Sequence, residues 1–436
     1  MGGMTDRPSH ASAADMLAAP PSPTRAEWRR GWPIVLGATV GSGAGPALFQ
    51  NLSSLFVPGL IADFGWSRAE LAAATGLGFA GSITVPLLGR LVDRIGVRPA
   101  IAGCMILLGA AYVGLAGMSG SLWQYHLLVF CLAMTVPGTS ALVYGKLIAA
   151  RFVLQRGLAL GIATSGLPIT TLLLPVILGD IIATHGWRGG FLTLAALSTL
   201  VALPIALLAI RHADTGPTRP APGDPVATQP VGGVTAAEAR LDPRFWQVGL
   251  TGFFINLATI GFITQVVPFA IDRGVAAEDA ALLLTAFGAS QIVARLAIGL
   301  LIDRFPPRRV AASVALVSAL GFLLLQAAHL SLTMLAVGVF LAGLMNGAEN
   351  DLFPFFAARL FGLRAYGEIY GSLIVIALTG SAVGIVGFGA LHDATDGDAA
   401  ALAIAAISLV IAGLLYIRLR DRALPPPSSA AATAAG

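Results

Sequence analysis

The chain predicts an all-α membrane protein of twelve transmembrane helices arranged as two pseudo-symmetric six-helix bundles. Three observations carry that expectation. Of 436 residues, 56% are hydrophobic and only 11% are charged, with a mean hydropathy of +0.82, whereas soluble chains carry about 25% charged residues. The apolar residues gather into runs of spanning length, and twelve spans of about 20 residues take roughly 240 residues, leaving room for tails, short loops and one linker. The two halves of the chain also repeat one another at a fixed offset.

The elements follow in order. Residues 1–32 mix Pro, Ser, Ala and charge, including Asp6, Asp15 and Glu27, without the apolar core of a secretory signal, and read as a disordered cytoplasmic tail. Apolar runs bounded by Arg, Pro or Gly place helices near 33–57, 68–88, 99–118, 124–150, 157–183 and 188–210, the N-terminal bundle 33–210. A polar, Pro-rich stretch at 211–243 reads as a cytoplasmic linker. Helices near 244–270, 279–301, 310–328, 332–358, 367–390 and 398–417 then form the C-terminal bundle 244–417, and the Pro- and Ala-rich 418–436 is a second disordered tail.

Charge sets the orientation. With the N-terminus inside, Arg29, Arg30, Arg90, Arg94, Arg98, Arg151, Arg156, Arg304, Arg308, Arg309, Arg359 and Arg418 all face the cytoplasm, while Arg68, Arg188 and Arg273 remain outside. Both termini and the linker are therefore expected in the cytoplasm. The net charge of +4 reflects this sidedness, so no nucleic-acid partner is implied. Cys104 and Cys131 lie in apolar runs and are too few for a disulfide framework or a metal site. Gly37, Gly41, Gly43 and Gly45 follow no strand and no Walker lysine accompanies them, so they read as close helix packing rather than a nucleotide loop. No cofactor is expected.

An offset of 210 residues superimposes Gly78, Gly89, Asp93 and Arg94 on Gly288, Gly299, Asp303 and Arg304. Duplicated halves around a central linker are the pattern of transporters built from structural repeats, which bind substrate between the halves. In detail, Gly89-Arg-Leu-Val-Asp-Arg-Ile-Gly-Val-Arg98 resembles the signature of the major facilitator superfamily between helices 2 and 3, and Gly299-Leu-Leu-Ile-Asp-Arg304 is its weaker echo between helices 8 and 9. The resemblance implies the major facilitator fold, and a gating latch at the cytoplasmic mouth made by Gly89, Asp93, Arg94, Asp303 and Arg304. Further stretches resemble the monocarboxylate-porter and oxalate/formate-antiporter branch. These are Phe64-Gly-Trp-Ser-Arg-Ala69, Gln155-Arg-Gly-Leu-Ala-Leu-Gly161, Gly186-Trp-Arg-Gly-Gly-Phe191, Gly347-Ala-Glu-Asn-Asp351 with Arg359-Leu-Phe-Gly362, and Tyr366-Gly-Glu-Ile-Tyr-Gly371.

Polar residues within spans are the functional candidates, because an arginine at the bilayer centre costs at least about 2.5–3.5 kcal/mol unless it has a partner or an aqueous cavity. Arg295 is such a residue, about 12 Å of helical rise from Asp303. A guanidinium takes a carboxylate bidentately and stays charged at every relevant pH, which makes Arg295 the substrate anchor. Gln291-Ile-Val-Ala-Arg295 resembles the porters' helix 8, where the resemblance implies an acid at the position of Gln291 to serve the proton. Here that acid is absent. Glu349 and Asp351 in helix 10 become the candidate proton carriers, but residues two apart on a helix point about 200° apart, so one of them is expected to reach the cavity. Helix 11 holds no Lys or Arg over 367–390, a departure from the oxalate/formate pattern that favours a monoanion. Tyr144, Gln50, Asn51, Asn256 and Gln265 are further candidates to line the cavity, whereas Lys146 reads as a snorkelling residue.

The expected function is secondary active transport of a small organic monoanion by alternating access, driven by a proton. The expected partners are the anion, the proton and membrane lipid, in a monomer of a bacterial inner membrane. Anion exchange and drug efflux are the alternatives; Ala163-Thr-Ser-Gly-Leu-Pro168 departs from the Gly-Pro-x-x-Gly-Gly motif of drug/proton antiporters, and a mid-depth arginine repels cationic drugs. A transporter-fold nutrient sensor is a third class, marked by a long signalling tail.

Overall fold

The computed structural model describes residues 23–80, 95–136, 155–210, 233–302, 304–327, 329–362 and 364–420, together with Tyr144, Leu147, Ile148 and Phe152. Among these the chain is helical, with Gly233–Gly362 the single isolated β-bridge. The N-terminal half contains α1 (Pro23–Gly43), α2 (Pro46–Leu52), α3 (Val57–Phe64), α4 (Arg68–Ala80), α5 (Val97–Ala116), α6 (Leu122–Met134), α7 (Arg156–Thr164), α8 (Gly166–Ala196) and α9 (Leu203–Ala209). The C-terminal half contains α10 (Ala236–Leu241), α11 (Pro243–Ile263), α12 (Val266–Asp272), α13 (Ala277–Ile302), α14 (Pro307–Leu325), α15 (Leu332–Phe361), α16 (Tyr366–Thr395) and α17 (Ala399–Arg418). Among the described residues, eight stretches are long and apolar enough to cross a membrane, or nine if the bent pair Pro46–Leu55 and Val57–Phe64 counts as one span. Every expected span contains described helix.

Local chemistry explains the breaks. α1 and α2 are parted at Gly45, after which Pro46 supplies a preset φ for the first turn. α8 runs through the junction expected between the fifth and sixth spans, but Gly186 sits at φ 70°, a conformation that glycine adopts without penalty, and the chain turns there. Trp187, immediately after the turn, is buried and donates through Nε1 to Asp63 Oδ2 at 2.8 Å.

Two expected boundaries shift. The tail expected over 1–32 is helical from Pro23, because Trp28 packs edge-on against Phe152 with ring centroids 5.1 Å apart and its Nε1 donates to Gln155. The expected linker is helical near its end: Thr235 and Glu238 form a reciprocal capping box that starts α10, and the Asp242 side chain caps α11. Residues 211–232 and 421–436 lie outside the described residues.

The halves meet along two seams, α8 against α13 and α4 against α16. Both depend on bare backbone. A Cβ at Gly288 would sit 2.6 Å from Leu172 N, and one at Gly389 would sit 2.9 Å from Arg68 O. The second seam ends where α4 begins, at the far end of the bundle from α1's start. Apolar cores fill each half, with Phe56 stacked on Phe191 in one and Phe262 edge-on to Phe322 in the other.

Candidate functional site

Between the halves lies a cavity of about 220 Å³. Its wall is built from helical stripes, residues three and four apart that share a face. From the N-terminal half, α2 contributes Ala47, Gln50 and Asn51, and α8 contributes Leu167. From the C-terminal half, α11 presents Asn256 and Ile260, α13 Gln291 and Arg295, and α15 Asn346, Glu349, Asn350 and Phe353. Tyr370, Ile374, Ala377, Leu378 and Ser381 line it from α16. The cavity thus gathers six of the residues singled out in the sequence: Gln50, Asn51, Asn256, Gln291, Arg295 and Glu349.

Three of the candidates lie elsewhere. Tyr144 is buried in the N-terminal core against α1, where its ring fills the space a side chain at Gly41 would need. Asp351 does not line the cavity and is exposed, because two residues of helical rotation carry it away from the Glu349 face. Gln265, at the break between α11 and α12, is buried outside the wall. Gly89, Asp93, Arg94 and Asp303 of the expected latch, and Lys146, lie outside the described residues; Arg304 is exposed. Asn346, Asn350, Tyr370 and Ser381 were not singled out in the sequence. The i, i+3, i+4, i+7 stripe of Asn346, Glu349, Asn350 and Phe353 is the signal that finds the first two.

The hydrogen bonds divide the wall into satisfied and unsatisfied groups. Asn51 Nδ2 donates to Thr171 Oγ1 at 3.0 Å, and Asn256 Nδ2 donates to Glu349 Oε1 at 2.6 Å. Arg295 reaches across the halves, Nη1 donating to Thr164 Oγ1 at 3.3 Å. The buried Arg295 Nε, Gln291 Nε2 and Gln50 Nε2 have no hydrogen-bond partner. A buried donor left unpaired costs about 1–3 kcal/mol, and these three belong to residues that line one cavity.

A second polar cluster closes the far end. Arg68, buried at the start of α4, donates through Nη2 to both oxygens of Asp272, at 2.8 and 2.7 Å. Its Nη1 lies 3.3 Å from His392 Nδ1, which lies 2.9 Å from Asp398 Oδ1. The shorter contact goes with a proton on Nδ1 donated to Asp398. Arg273 Nη1 stands 3.7 Å from Asp398, and the Ala69 N–H donates to Asp393 at 2.9 Å. Asp272, His392 and Asp398 have ligand atoms close enough for a metal ion, but the Arg68 guanidinium already sits on Asp272 and beside His392. The cluster is an ion-pair network that ties the two halves together.

Residues 39–277 and 253–435 match the Major Facilitator Superfamily, and the protein belongs to it. It is a multi-pass membrane transporter and not an enzyme. Among its relatives, Monocarboxylate transporter 11 of Mus musculus is 28% identical, covering 94% of this chain and 91% of the relative. The Gallate transporter of Pseudomonas putida is 27% identical over 73% of this chain and 79% of its own. Among solved structures, a bacterial homologue of the human lysosomal transporter Spinster, inward-facing and unoccupied, matches with a TM-score of 0.69 at 19% identity, covering 93% of this chain and 100% of that one. This last likeness bears on the fold alone.

Proposed function

We propose that the protein carries a small organic monocarboxylate across the bacterial inner membrane, together with a proton, by alternating access around the central cavity. The observation that carries this reading is that three residues lining the cavity, Arg295, Gln291 and Gln50, each hold a buried donor without a partner, at Nε, Nε2 and Nε2. A carboxylate supplies about four acceptor sites in a plane that matches a guanidinium. Gln291 and Arg295 belong to one half and Gln50 to the other, so one bound anion touches both halves. α16 brings no second Lys or Arg to the wall, which favours one negative charge over two. The relatives named for monocarboxylate and gallate transport agree with carboxylate cargo.

Glu349 is the proposed proton carrier: it is 8% exposed, lines the cavity and is the one acid in its wall among the described residues. Asp351 takes no part in this reading. Exchange of anions without a proton is the second reading, favoured by the neutral Gln291 where the branch carries an acid. The positive-inside rule places both termini in the cytoplasm and the Arg68 cluster outside, the latch remains assigned to Asp93 and its neighbours, and the protein works as a monomer. In proteoliposomes, labelled acetate, lactate, pyruvate and benzoate are the probes. Uptake of at least one, driven by an inward proton gradient and lost in Arg295→Lys, is expected. Uptake unchanged by Arg295→Lys would contradict the site, because a point-charge ammonium lacks the fork geometry.

A further inference from the structure

The acid in the cavity wall is held by two neutral side chains from two other helices. Asn256 on α11 donates from Nδ2 to Glu349 Oε1 at 2.6 Å and to the Gly252 carbonyl at 2.9 Å. Because a carbonyl oxygen only accepts, the nitrogen end of the Asn256 amide is the end that faces Glu349. The other end, Oδ1, accepts from Ser381 Oγ of α16 at 3.1 Å. Both amide protons and the amide oxygen are thus used, and Ser381 is wholly buried. The side chain has no freedom to turn over.

On that geometry we infer that Asn256 and Ser381 are the positioning residues of proton coupling, fixing Glu349 and passing its change of charge to α11 and α16. The inference rests on the reading of Glu349 as the proton carrier. With Asn256 always presenting an N–H, Glu349 Oε1 is an acceptor in both protonation states, and an arriving proton binds at Oε2. While Glu349 is ionised, the bond from Asn256 is charge-assisted and about twice as strong as a neutral one. Protonation removes that assistance and loosens the tie between α11, α15 and α16. α16 is the helix that forms a seam with α4 of the other half, so the loosening acts where the halves move. The titratable groups around Glu349 are Tyr370 on α16 and Tyr416 on α17, with Asp351 farther along α15 and Arg295 across the cavity on α13. None of these replaces the Asn256 contact.

The test compares Glu349→Gln, Asn256→Ala and Ser381→Ala in two assays. Proteoliposomes report accumulation of labelled lactate, pyruvate or benzoate driven by a proton gradient, and counterflow of the same compound without a gradient. Infrared difference spectra of purified protein between acid and alkaline pH report the carboxylic C=O band of a protonated acid and need no substrate. Glu349→Gln is expected to lose gradient-driven accumulation, keep counterflow and lose one C=O band. Asn256→Ala is expected to lower accumulation about tenfold, the worth of one charge-assisted hydrogen bond, with counterflow lowered less than accumulation and the same band moved in frequency. Ser381→Ala, which deletes one hydroxyl and leaves the fold the better chance, is expected to do the same to a smaller degree. If Glu349→Gln retains accumulation and the band, the carrier reading fails. If Glu349→Gln loses both while Asn256→Ala and Ser381→Ala match the wild type in accumulation and in band frequency, the positioning inference is overturned and the carrier reading stands. Equal loss of counterflow and accumulation in both positioning variants would also overturn it, by showing a purely structural role.

Discussion

Among the described residues, two arginines cross between the halves, and their surroundings differ. Arg68 at the far end has both oxygens of Asp272 within 2.8 Å and His392 beside it. Arg295 in the cavity has one threonine hydroxyl at 3.3 Å, and its Nε is buried without a partner. A guanidinium whose protons are spent on the protein itself is a fastening. One that keeps a single hydroxyl contact inside a cavity, its desolvation offset in part by the charge of Asp351, has protons left for the anion of the proposed reading. On the proposed reading, the same side chain, at two heights along one interface, serves two purposes.

The largest effect expected is at Arg295. Arg295→Ala should lose about 2–5 kcal/mol of anion binding, the usual result of truncating one partner of a buried charged contact, and transport should fall to background while expression and helix content are kept. Transport rates in proteoliposomes check this. Next comes the fastening. Arg68→Ala should leave transport measurable but free the far end, so that the distance between spin labels at Glu70 and Thr395 lengthens and broadens in pulsed dipolar spectroscopy. An unchanged distribution would show that Arg68 holds nothing there.

Smaller effects sharpen the contrast between residues in the wall and residues outside it. Asp351→Asn should keep full gradient-driven accumulation, in contrast to Glu349→Gln, because Asp351 does not line the cavity; a loss equal to that of Glu349→Gln would reverse the choice between them. Tyr144→Phe should leave transport unchanged and stability unchanged or raised by up to about 1–3 kcal/mol, since the buried Tyr144 hydroxyl has no hydrogen-bond partner to lose. Thermal unfolding and the same uptake assay read that result.

Much of this was legible in the residues because a membrane simplifies them. Spans announce themselves by hydropathy, and a polar side chain in a span is rare enough to be conspicuous, which is why Gln50, Asn51, Asn256, Gln291, Arg295 and Glu349 could be picked out one at a time. What hydropathy does not carry is rotation about each helix axis. Tyr144 and Asp351 are as polar as their neighbours, but one turns toward a glycine of α1 and the other away from the cavity. Ser381 and Tyr370 are unremarkable as residue types and matter because α16 aims them inward. The early start of α1 was hidden for another reason: the helix is held by a contact between Trp28 and Phe152, 124 positions apart in the chain by subtraction, and no local pattern records it.

The central claim is that Arg295 makes the cavity a site for a single carboxylate. Its most direct test is a thermal-shift titration of purified wild-type and Arg295→Ala protein with mono-, di- and tricarboxylates. A ligand that binds only the folded state adds about 2.7 kcal/mol at a hundred times its Kd, which is ample to detect. A rise in Tm with at least one monocarboxylate, larger than with the more highly charged acids and absent in Arg295→Ala, is the result expected. The same rise in Arg295→Ala, or stabilisation by dicarboxylates in preference to monocarboxylates, would contradict it.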